Sequence, residues 1–259
     1  MPKFSIFSWF GFPIPMEERF KLIKAAGFDG VLLWWADDHI DEDGNKELQP
    51  ELARRIGLFI ENIHTPYDSA NSLWTDSSDG DAYEKVLMNC IADCAKYEIP
   101  TAVLHASRGS ILPPPNYLGL DRIKRLVEFA ERKNVNIAIE NIRHPELLDY
   151  IFPSIHSSRL GFCYDSGHEN CYTHGTDLLR KYGSRLMALH LHDNDGTDDY
   201  HQLPGDGTIH WDTLMKKLDA AGYTGAIALE VQNRVSLRSA PPEVFLNSAF
   251  NAAKQLVNK

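Results

Sequence analysis

The sequence predicts a (β/α)8 barrel, and the prediction rests on three observations: chain length, composition and the alternation of apolar segments. The chain has 259 residues, of which 43% are hydrophobic and 24% are charged. This composition is typical of a globular domain and excludes a disordered or fibrous protein. Eight short strand-like segments alternate with longer segments of helical periodicity, and a (β/α)8 barrel needs about 250 residues for eight such units.

Eight segments are short, apolar and rich in β-branched or aromatic residues, as buried parallel strands are. They cover residues 4–9, 31–35, 58–64, 102–105, 137–141, 161–165, 188–192 and 227–231. Helices are expected near residues 16–26, 48–56, 81–97, 119–133, 145–152, 176–182, 211–221 and 241–257. Gly27 and Gly222 follow two of these helical segments, inside the similar phrases AAGFDG and AAGYTG, as glycines that terminate helices do.

The alternative fold is a doubly wound sheet that begins with a dinucleotide-binding unit. The first strand, FSIFSW, leads into FGFPIP, which contains one glycine instead of a glycine-rich loop. No linker, low-complexity tract or change in composition divides the chain. We therefore expect residues 1–259 to form one barrel domain.

Charge and cysteine content narrow the class of function. The chain has 26 Lys and Arg against 36 Asp and Glu, a net charge of −10, which disfavours nucleic acid or an anionic membrane as a partner. The four cysteines form no CxxC pair. No apolar segment approaches the roughly 18 residues of a membrane helix, and Pro13 and Pro15 interrupt the apolar N-terminus before a signal-like segment develops. We expect a cytoplasmic protein.

Ionisable side chains mark the C-terminal ends of six successive predicted strands. These are His64, His105, Glu140, Asp165, His190 with His192, and Glu230. In a barrel these ends converge on one mouth, where active sites form. Because unpaired carboxylates are costly to bury in segments such as NIAIEN and AIALEV, we expect a divalent cation there. Glu, Asp and His ligands without thiolate suit Mn²⁺, Mg²⁺, Co²⁺, Fe²⁺ or Zn²⁺.

Several local phrases resemble the xylose isomerase-like TIM barrels, which include sugar isomerases and epimerases, related dehydratases and endonuclease IV. The phrases are IHTPYDS, VLHASRG, IAIENI, GFCYDSGH, LHLHDNDG, DYHQLPGDGTIHW and GYTGAIALEV. They occur in this order from about His64 to Glu230. The resemblance implies that the ligands of a single metal ion are Glu140, Asp165, His190 and Glu230. His168 matches a residue that orients the substrate in the epimerases and binds a second metal in endonuclease IV.

The resemblance to the epimerases also implies a proton-transfer pair, Glu140 and Glu230, on either side of a bound ketose. One glutamate removes a proton from carbon to give an enediolate, and the other returns a proton to the neighbouring carbon or the opposite face. Candidate substrate-binding residues are His64, His105, His168, His192, Trp34 and Arg143. These epimerases carry an arginine shortly after the metal-binding histidine, and the stretch after His190 has none. The substrate, the choice between isomerase, epimerase and dehydratase, and the formation of a homo-oligomer therefore stay open.

Endonuclease IV is the alternative that the ligand pattern keeps open. Its nine ligands for three zinc ions follow the order His, His, Glu, Asp-x-x-His, His, Asp-x-His, Glu. The chain offers a residue at each position: His64, His105, Glu140, Asp165, His168, His190, Asp199, His201 and Glu230. Three features favour a small sugar or polyol over DNA as the substrate. They are the net charge of −10, the isolation of Arg108 and Arg143, and the aromatic residues expected in the mouth loops (Trp9, Phe10, Phe12, Trp34 and Trp35). We therefore predict an isomerase or epimerase of a sugar, sugar phosphate or polyol, with one divalent ion. Up to three ions and a non-catalytic sugar-binding barrel stay as alternatives.

Overall fold

A computed structural model describes residues 2–37, 44–233 and 240–257 of the chain. It confirms the predicted barrel, with eight parallel strands joined by helices. The strands are β1 (Phe4–Phe7), β2 (Gly30–Trp34), β3 (Phe59–His64), β4 (Thr101–Leu104), β5 (Asn136–Glu140), β6 (Leu160–Asp165), β7 (Leu186–His190) and β8 (Ile227–Leu229). Their order in the sheet is β7-β6-β5-β4-β3-β2-β1-β8.

The cylinder closes between β7 and β8 through a short contact just beyond β7. Leu191 pairs in parallel with Leu229. Its backbone N–H donates to the carbonyl of Ala228 at 2.9 Å, and its carbonyl accepts from the N–H of Glu230 at 3.0 Å. This closure brings the ends of all eight strands to one mouth.

Nine α-helices are present in the described part of the chain, and most surround the strands. They are α1 (Met16–Ala26), α2 (Gln49–Ile56), α3 (Ser78–Lys96), α4 (Tyr117–Lys133), α5 (Glu146–Ser154), α6 (Ser166–Tyr172), α7 (Leu178–Tyr182), α8 (Trp211–Ala220) and α9 (Pro242–Val257). Helix α4 buries Ile123, Leu126, Val127 and Ala130, the spacing of one helical face. Gly27 ends α1 with a φ of 109°, a left-handed conformation that glycine adopts without strain.

The sequence did not predict α6, which begins directly after β6. Asp165 caps this helix, since its Oδ1 accepts a hydrogen bond from the backbone N–H of His168 at 2.6 Å. None of the helices in the described ranges combines the length and the apolar character needed to cross a membrane.

A second polar group lies at the opposite, N-terminal end of the barrel. The carboxylate of Glu61 accepts hydrogen bonds from the hydroxyls of Ser5 and Tyr223. Glu61 and Tyr223 help to line a cavity of about 1030 Å³ at this end. Burial raises the pKa of Glu61 from 4.5 to about 7, and the two hydroxyls offset part of that shift.

Replacement of Glu61 by Gln is expected to change how stability depends on pH. A carboxyl group with a raised pKa stabilises the fold fully below its unfolded value of 4.5, and the contribution is lost as pH rises through about 7. Relative to the variant, the unfolding free energy of the wild type should therefore fall by about 2 kcal/mol between pH 5 and pH 8. Urea unfolding over this pH range measures it. Glu18→Gln, at an exposed position, is the control, and equal pH slopes for wild type and Glu61→Gln would contradict the expectation.

Candidate metal centre and active site

Four candidate metal ligands meet at the mouth of the barrel. Glu140, Asp165 and His190 end β5, β6 and β7, and Glu230 follows β8; we call these four residues the quartet. All four side chains are buried, and each offers a donor atom within 4.8 Å of the others. Nδ1 of His190 lies 3.0 Å from Oε2 of Glu140 and 3.0 Å from Oε2 of Glu230. Donor atoms that share one cation at bonds of about 2.0–2.2 Å lie about this far apart.

Several atoms of the quartet are buried without hydrogen bonds. Within the described residues, neither carboxylate oxygen of Glu140 and neither ring nitrogen of His190 makes a hydrogen bond of normal geometry, although Oε2 of Glu140 and Nδ1 of His190 are 3.0 Å apart. Buried polar atoms in proteins nearly always have a partner, because burial without one costs free energy. A divalent cation would satisfy these atoms together, so the donor set fits a metal ion.

The charges around the quartet are strongly coupled. Burial alone would raise the pKa of Glu140, but the charges of His190 and His105 hold it well below its ordinary value. Burial alone would lower the pKa of His190, yet Cys163, Glu230 and Glu140 raise it well above the ordinary value. The raised pKa of His190 favours a positively charged ring beside the two glutamates. A metal ion that binds His190 would have to displace a proton from that ring.

His64 and His105 extend the donor set on the side of β3 and β4. Their Nε2 atoms lie 3.3 Å and 3.4 Å from Oε2 of Glu140. Nδ1 of His64 lies 2.9 Å from the carbonyl oxygen of Thr65, a contact that orients the ring so that Nε2 faces Glu140. His64, Glu140 and His190 thus form a second group that could hold a metal ion.

The loop after β7 and helix α6 bring further candidate ligands. Oδ2 of Asp199 lies 3.1 Å from Nε2 of His201 and 3.5 Å from Nε2 of His168. His201 has a φ of 50°, and its Nδ1 lies 2.6 Å from the carbonyl oxygen of Glu230. The structure therefore brings all nine residues of the endonuclease-like pattern to one mouth.

His192 lies among the carboxylates of the mouth instead of lining the open pocket. Its Nε2 is 3.1 Å from Oδ1 of Asp165 and 3.4 Å from Oδ1 of Asp199. Its ring stacks on that of His201 with centroids 4.1 Å apart. His192 therefore has the surroundings of a metal ligand. Its position at a strand end could not show whether it would contact a metal ion or a substrate.

Asp193 holds the loop that carries Asp199 and His201. Its carboxylate accepts hydrogen bonds from four donors, which are the backbone N–H groups of Asn194 (2.9 Å), Gly205 (2.9 Å) and Ile209 (3.2 Å) and the indole N–H of Trp211 (2.7 Å). Because both oxygens of this buried carboxylate already accept hydrogen bonds, Asp193 stabilises the loop and is not a candidate metal ligand.

Gly167 is required by the close packing of α6 against His192. A Cβ atom at this position would lie 1.8 Å from Cε1 of His192. Replacement of Gly167 by Ala should therefore displace the His192 ring and lower metal affinity by about 10- to 100-fold, the usual effect of disturbing groups around a metal site. Competition with a chelating dye measures this affinity. Gly183→Ala is the matched control, since its Cβ would meet Ala221 away from the mouth; equal affinities of the two variants would contradict the expectation.

A small pocket of about 150 Å³ opens over these residues. Besides the histidines and carboxylates described above, it is lined by Tyr67, Ser107, Arg108, Arg143 and Tyr172. Sequence patterns did not select Tyr67, Ser107 or Tyr172 as site residues. Tyr67 and Ser107 lie within the quoted phrases IHTPYDS and VLHASRG, whereas no sequence signal points to Tyr172.

The aromatic residues expected around the mouth divide between the site and the core. The ring of Trp34 lies 5.4 Å from that of His64 and 5.6 Å from that of Tyr67, beside the pocket but outside its lining. Trp35 is buried, and its indole N–H donates to Asp93 at 3.0 Å. Phe10 is buried against Phe245. Trp34 and Trp35 diverge because successive residues of an extended chain point to opposite sides.

Comparison with known proteins agrees with this geometry. The model of the xylose isomerase-like TIM barrel family matches residues 20–251. An uncharacterized protein of Methanocaldococcus jannaschii is 28% identical over 251 residues, which cover 89% of this chain and 84% of that protein. Fructoselysine 3-epimerase of Escherichia coli O157:H7 is 21% identical over 271 residues, which cover 94% of each chain. The crystal structure of a D-tagatose 3-epimerase-like protein matches with a TM-score of 0.78 and 24% identity, covering 99% of this chain and 98% of that chain. This chain belongs to the xylose isomerase-like TIM barrel family.

Proposed function

We propose that this chain is a divalent-metal-dependent isomerase or epimerase of a small sugar or polyol. One observation carries the proposal: Glu140 and Glu230 approach the same nitrogen of His190 at 3.0 Å from two separate strands, inside a buried quartet. The similarity to fructoselysine 3-epimerase over 94% of both chains supports the same class of reaction. The small pocket volume, about 150 Å³, suits a substrate of few carbon atoms.

The proposed mechanism uses the two glutamates as a proton-transfer pair. Bound to the quartet, a divalent cation supplies positive charge that polarises a substrate carbonyl group. A ketose between Glu140 and Glu230 has one carboxylate on each side. One glutamate removes the proton on the carbon next to the carbonyl, which gives an enediolate. The other returns a proton to the neighbouring carbon in an isomerisation, or to the opposite face of the same carbon in an epimerisation.

The histidines and Arg143 position the substrate in this proposal. His168 lies within 3.1 Å of Glu140 and within 3.5 Å of Asp199, so it can orient a hydroxyl group between the two carboxylates. His64 and His105 are beside Glu140 on the opposite wall. Trp34 borders the pocket, and Arg143 supplies a cation at its rim.

Hydrogen exchange with solvent tests the proposal whichever product the reaction gives. Protein loaded separately with Mn²⁺, Mg²⁺, Co²⁺, Fe²⁺ or Zn²⁺ is incubated with a panel of ketoses in D₂O, and NMR follows deuterium at the carbons next to the carbonyl. We expect incorporation together with a new epimer or aldose for at least one sugar. Absence of exchange for every sugar, with metal loading verified by elemental mass spectrometry, would exclude the proposed activity.

A metal-dependent phosphodiesterase is the second candidate, favoured by the donors beyond the quartet. His64, Asp199 and His201 belong to groups that could hold additional ions, and His105 lies 3.4 Å from Glu140. Paired ions suit displacement at phosphorus. This candidate requires cleavage of a duplex with an abasic site, with a steep dependence on salt. If the zinc-loaded protein does not cleave that duplex, the candidate is removed. A sugar-binding barrel without activity would show affinity for a ketose and no exchange with any metal.

A further inference from the structure

The candidate metal ligands lie where the hydrogen-bonded ladders of the sheet end. The last paired residues of β5 and β6 are Glu140 and Cys163, and the last of β6 and β7 are Asp165 and His190. Asp165 therefore lies two residues beyond the point where β5 and β6 stop pairing. A ligand that projects past its ladder needs other contacts to keep its distance from the ligand on the neighbouring strand.

Asn141, the residue directly after Glu140, supplies such contacts between β5 and β6. Its side chain is buried, its Oδ1 accepts from the backbone N–H of Asp165 at 2.8 Å, and its Nδ2 donates to the backbone carbonyl of Asp165 at 2.8 Å. The amide thus bonds to both backbone groups of a ligand residue, as a neighbouring strand would. The backbone carbonyl of Asn141 also lies 2.9 Å from Nδ1 of His168. One residue therefore fixes Asp165 and His168 relative to the end of β5.

Ser166, the residue directly after Asp165, makes the equivalent contact between β6 and the chain that follows β7. Its buried hydroxyl donates to the backbone carbonyl of His192 at 2.7 Å and accepts from the backbone N–H of His192 at 3.0 Å. His192 lies two residues beyond His190, the last residue of β7. The hydroxyl group of Ser166 therefore also bonds to both backbone groups of a residue that lies past its ladder.

The same relation continues between β7 and β8, where a backbone takes the place of a side chain. Leu191 directly follows His190, and its backbone bonds to Ala228 and Glu230. In each of the three cases, the residue directly after a quartet ligand joins that ligand's strand to the next strand around the barrel. The quartet is thus held together by a series of contacts that the regular ladders do not supply.

We propose that Asn141 and Ser166 are positioning residues that set the distances between the metal ligands of β5, β6 and β7. The proposal rests on the proposed function, because it concerns the metal centre of the same site. Both side chains are hydrogen-bonded to backbone groups, so they act through the ligands and not by binding the ion. The positions of the donor atoms decide which coordination geometry a bound ion adopts. Loss of either contact should therefore change both the affinity and the geometry of the site.

Cobalt binding tests this inference, because the visible absorption spectrum of bound Co²⁺ changes with its coordination geometry. Co²⁺ is titrated into the metal-free protein, and the Kd and the spectrum at saturation are recorded. Asn141→Ala and Ser166→Ala should each weaken Co²⁺ binding about 10- to 100-fold, the usual effect of removing a group that holds a metal ligand, and should each change the spectrum. Ser166→Ala removes a single hydroxyl group, so it keeps the test decisive if Asn141→Ala does not fold.

Asn136→Ala and Ser5→Ala are the matched controls at the other end of the barrel. The Asn136 side chain donates to Oγ1 of Thr101 at 3.4 Å and accepts from Arg159 at 2.9 Å, so it also joins β5 to its neighbours. The hydroxyl of Ser5 is buried and donates to Glu61. Both controls should keep the wild-type Kd and spectrum, even where urea unfolding shows the same loss of stability as in the test variants.

A folded Asn141→Ala or Ser166→Ala variant with the wild-type Kd and spectrum would overturn the inference. Equal changes in the test variants and the controls would also overturn it, because they would show a general effect of lower stability. The result is separable from the proposed function, since the titration contains no ketose. Altered Co²⁺ binding without deuterium exchange by the wild type would keep the positioning residues and remove the isomerase. Exchange by the wild type with unaltered Co²⁺ binding in the variants would do the reverse.

Discussion

Glu230→Gln is expected to slow deuterium exchange into a ketose substrate by at least about 10²–10⁴-fold, the usual contribution of a positioned general base. Glutamine keeps the shape of glutamate and one oxygen donor, but it cannot accept a proton from carbon. Glu140→Gln should have a comparable effect, because each glutamate serves one half of the transfer. The measurement is the initial rate of deuterium incorporation by NMR, on whichever ketose the wild type exchanges.

The control must separate loss of a base from loss of the metal ion. Elemental mass spectrometry on each variant shows whether the ion is retained, and only variants that keep it are compared. Glu61→Gln is a matched glutamate replacement at the other end of the barrel, and we expect wild-type exchange from it at pH 7. If both Glu140→Gln and Glu230→Gln keep full activity with metal bound, the proton-transfer pair is wrong.

Removal of divalent metal is expected to have the largest effect on stability. The mouth holds four acidic side chains close together, Glu140, Asp165, Asp199 and Glu230, and a cation that binds only the folded state stabilises it by mass action. At free metal of about 100 to 1,000 times Kd, the gain in unfolding free energy is about 3–4 kcal/mol. Thermal unfolding before and after chelation and reloading measures it. No stabilisation by Mn²⁺, Mg²⁺, Co²⁺, Fe²⁺ or Zn²⁺ would contradict a metal site.

The number of bound ions separates the two proposed activities. One ion per chain after dialysis would assign the quartet alone and favour the isomerase. Two or three zinc ions would mean that His64, His105, Asp199 and His201 are ligands. Asp199→Asn tests the difference. The variant should keep the same number of bound ions if the quartet alone binds metal, and should lose an ion if the loop after β7 binds one.

The alternation of strands and helices was predictable because apolar residues repeat with strand or helix spacing along the chain. The residues at which the elements begin and end were not predictable in this way. The first strand was predicted to reach Trp9 and ends at Phe7, and the last was predicted to reach Val231 and ends at Leu229. Beyond these points the chain is still apolar, yet it leaves the sheet to form the mouth. Helix α6 was missed because it has only seven residues, and its start depends on one cap, the contact of Asp165 with the N–H of His168.

The strand-borne part of the site was predictable for a different reason. Once the barrel is recognised, the strand-end residues must converge, and the resemblance to the xylose isomerase-like family selected Glu140, Asp165, His190 and Glu230 among them. Tyr67, Ser107 and Tyr172 lie in loops or a short helix, whose path depends on tertiary contacts such as the hydrogen bonds of Asn71 to the backbone of Arg108. Local sequence carries no record of those contacts.

The anchoring of the loop after β7 by Asp193 bears on how such sites diverge. The quartet belongs to the barrel, whereas Asp199 and His201 belong to an excursion whose position depends on hydrogen bonds to one buried carboxylate. Replacement of the whole loop after β7 could therefore add or remove metal ligands in a related protein while the barrel stays intact. In this arrangement new chemistry could arise by replacing one loop, and the glutamates of the quartet would keep their places on the barrel.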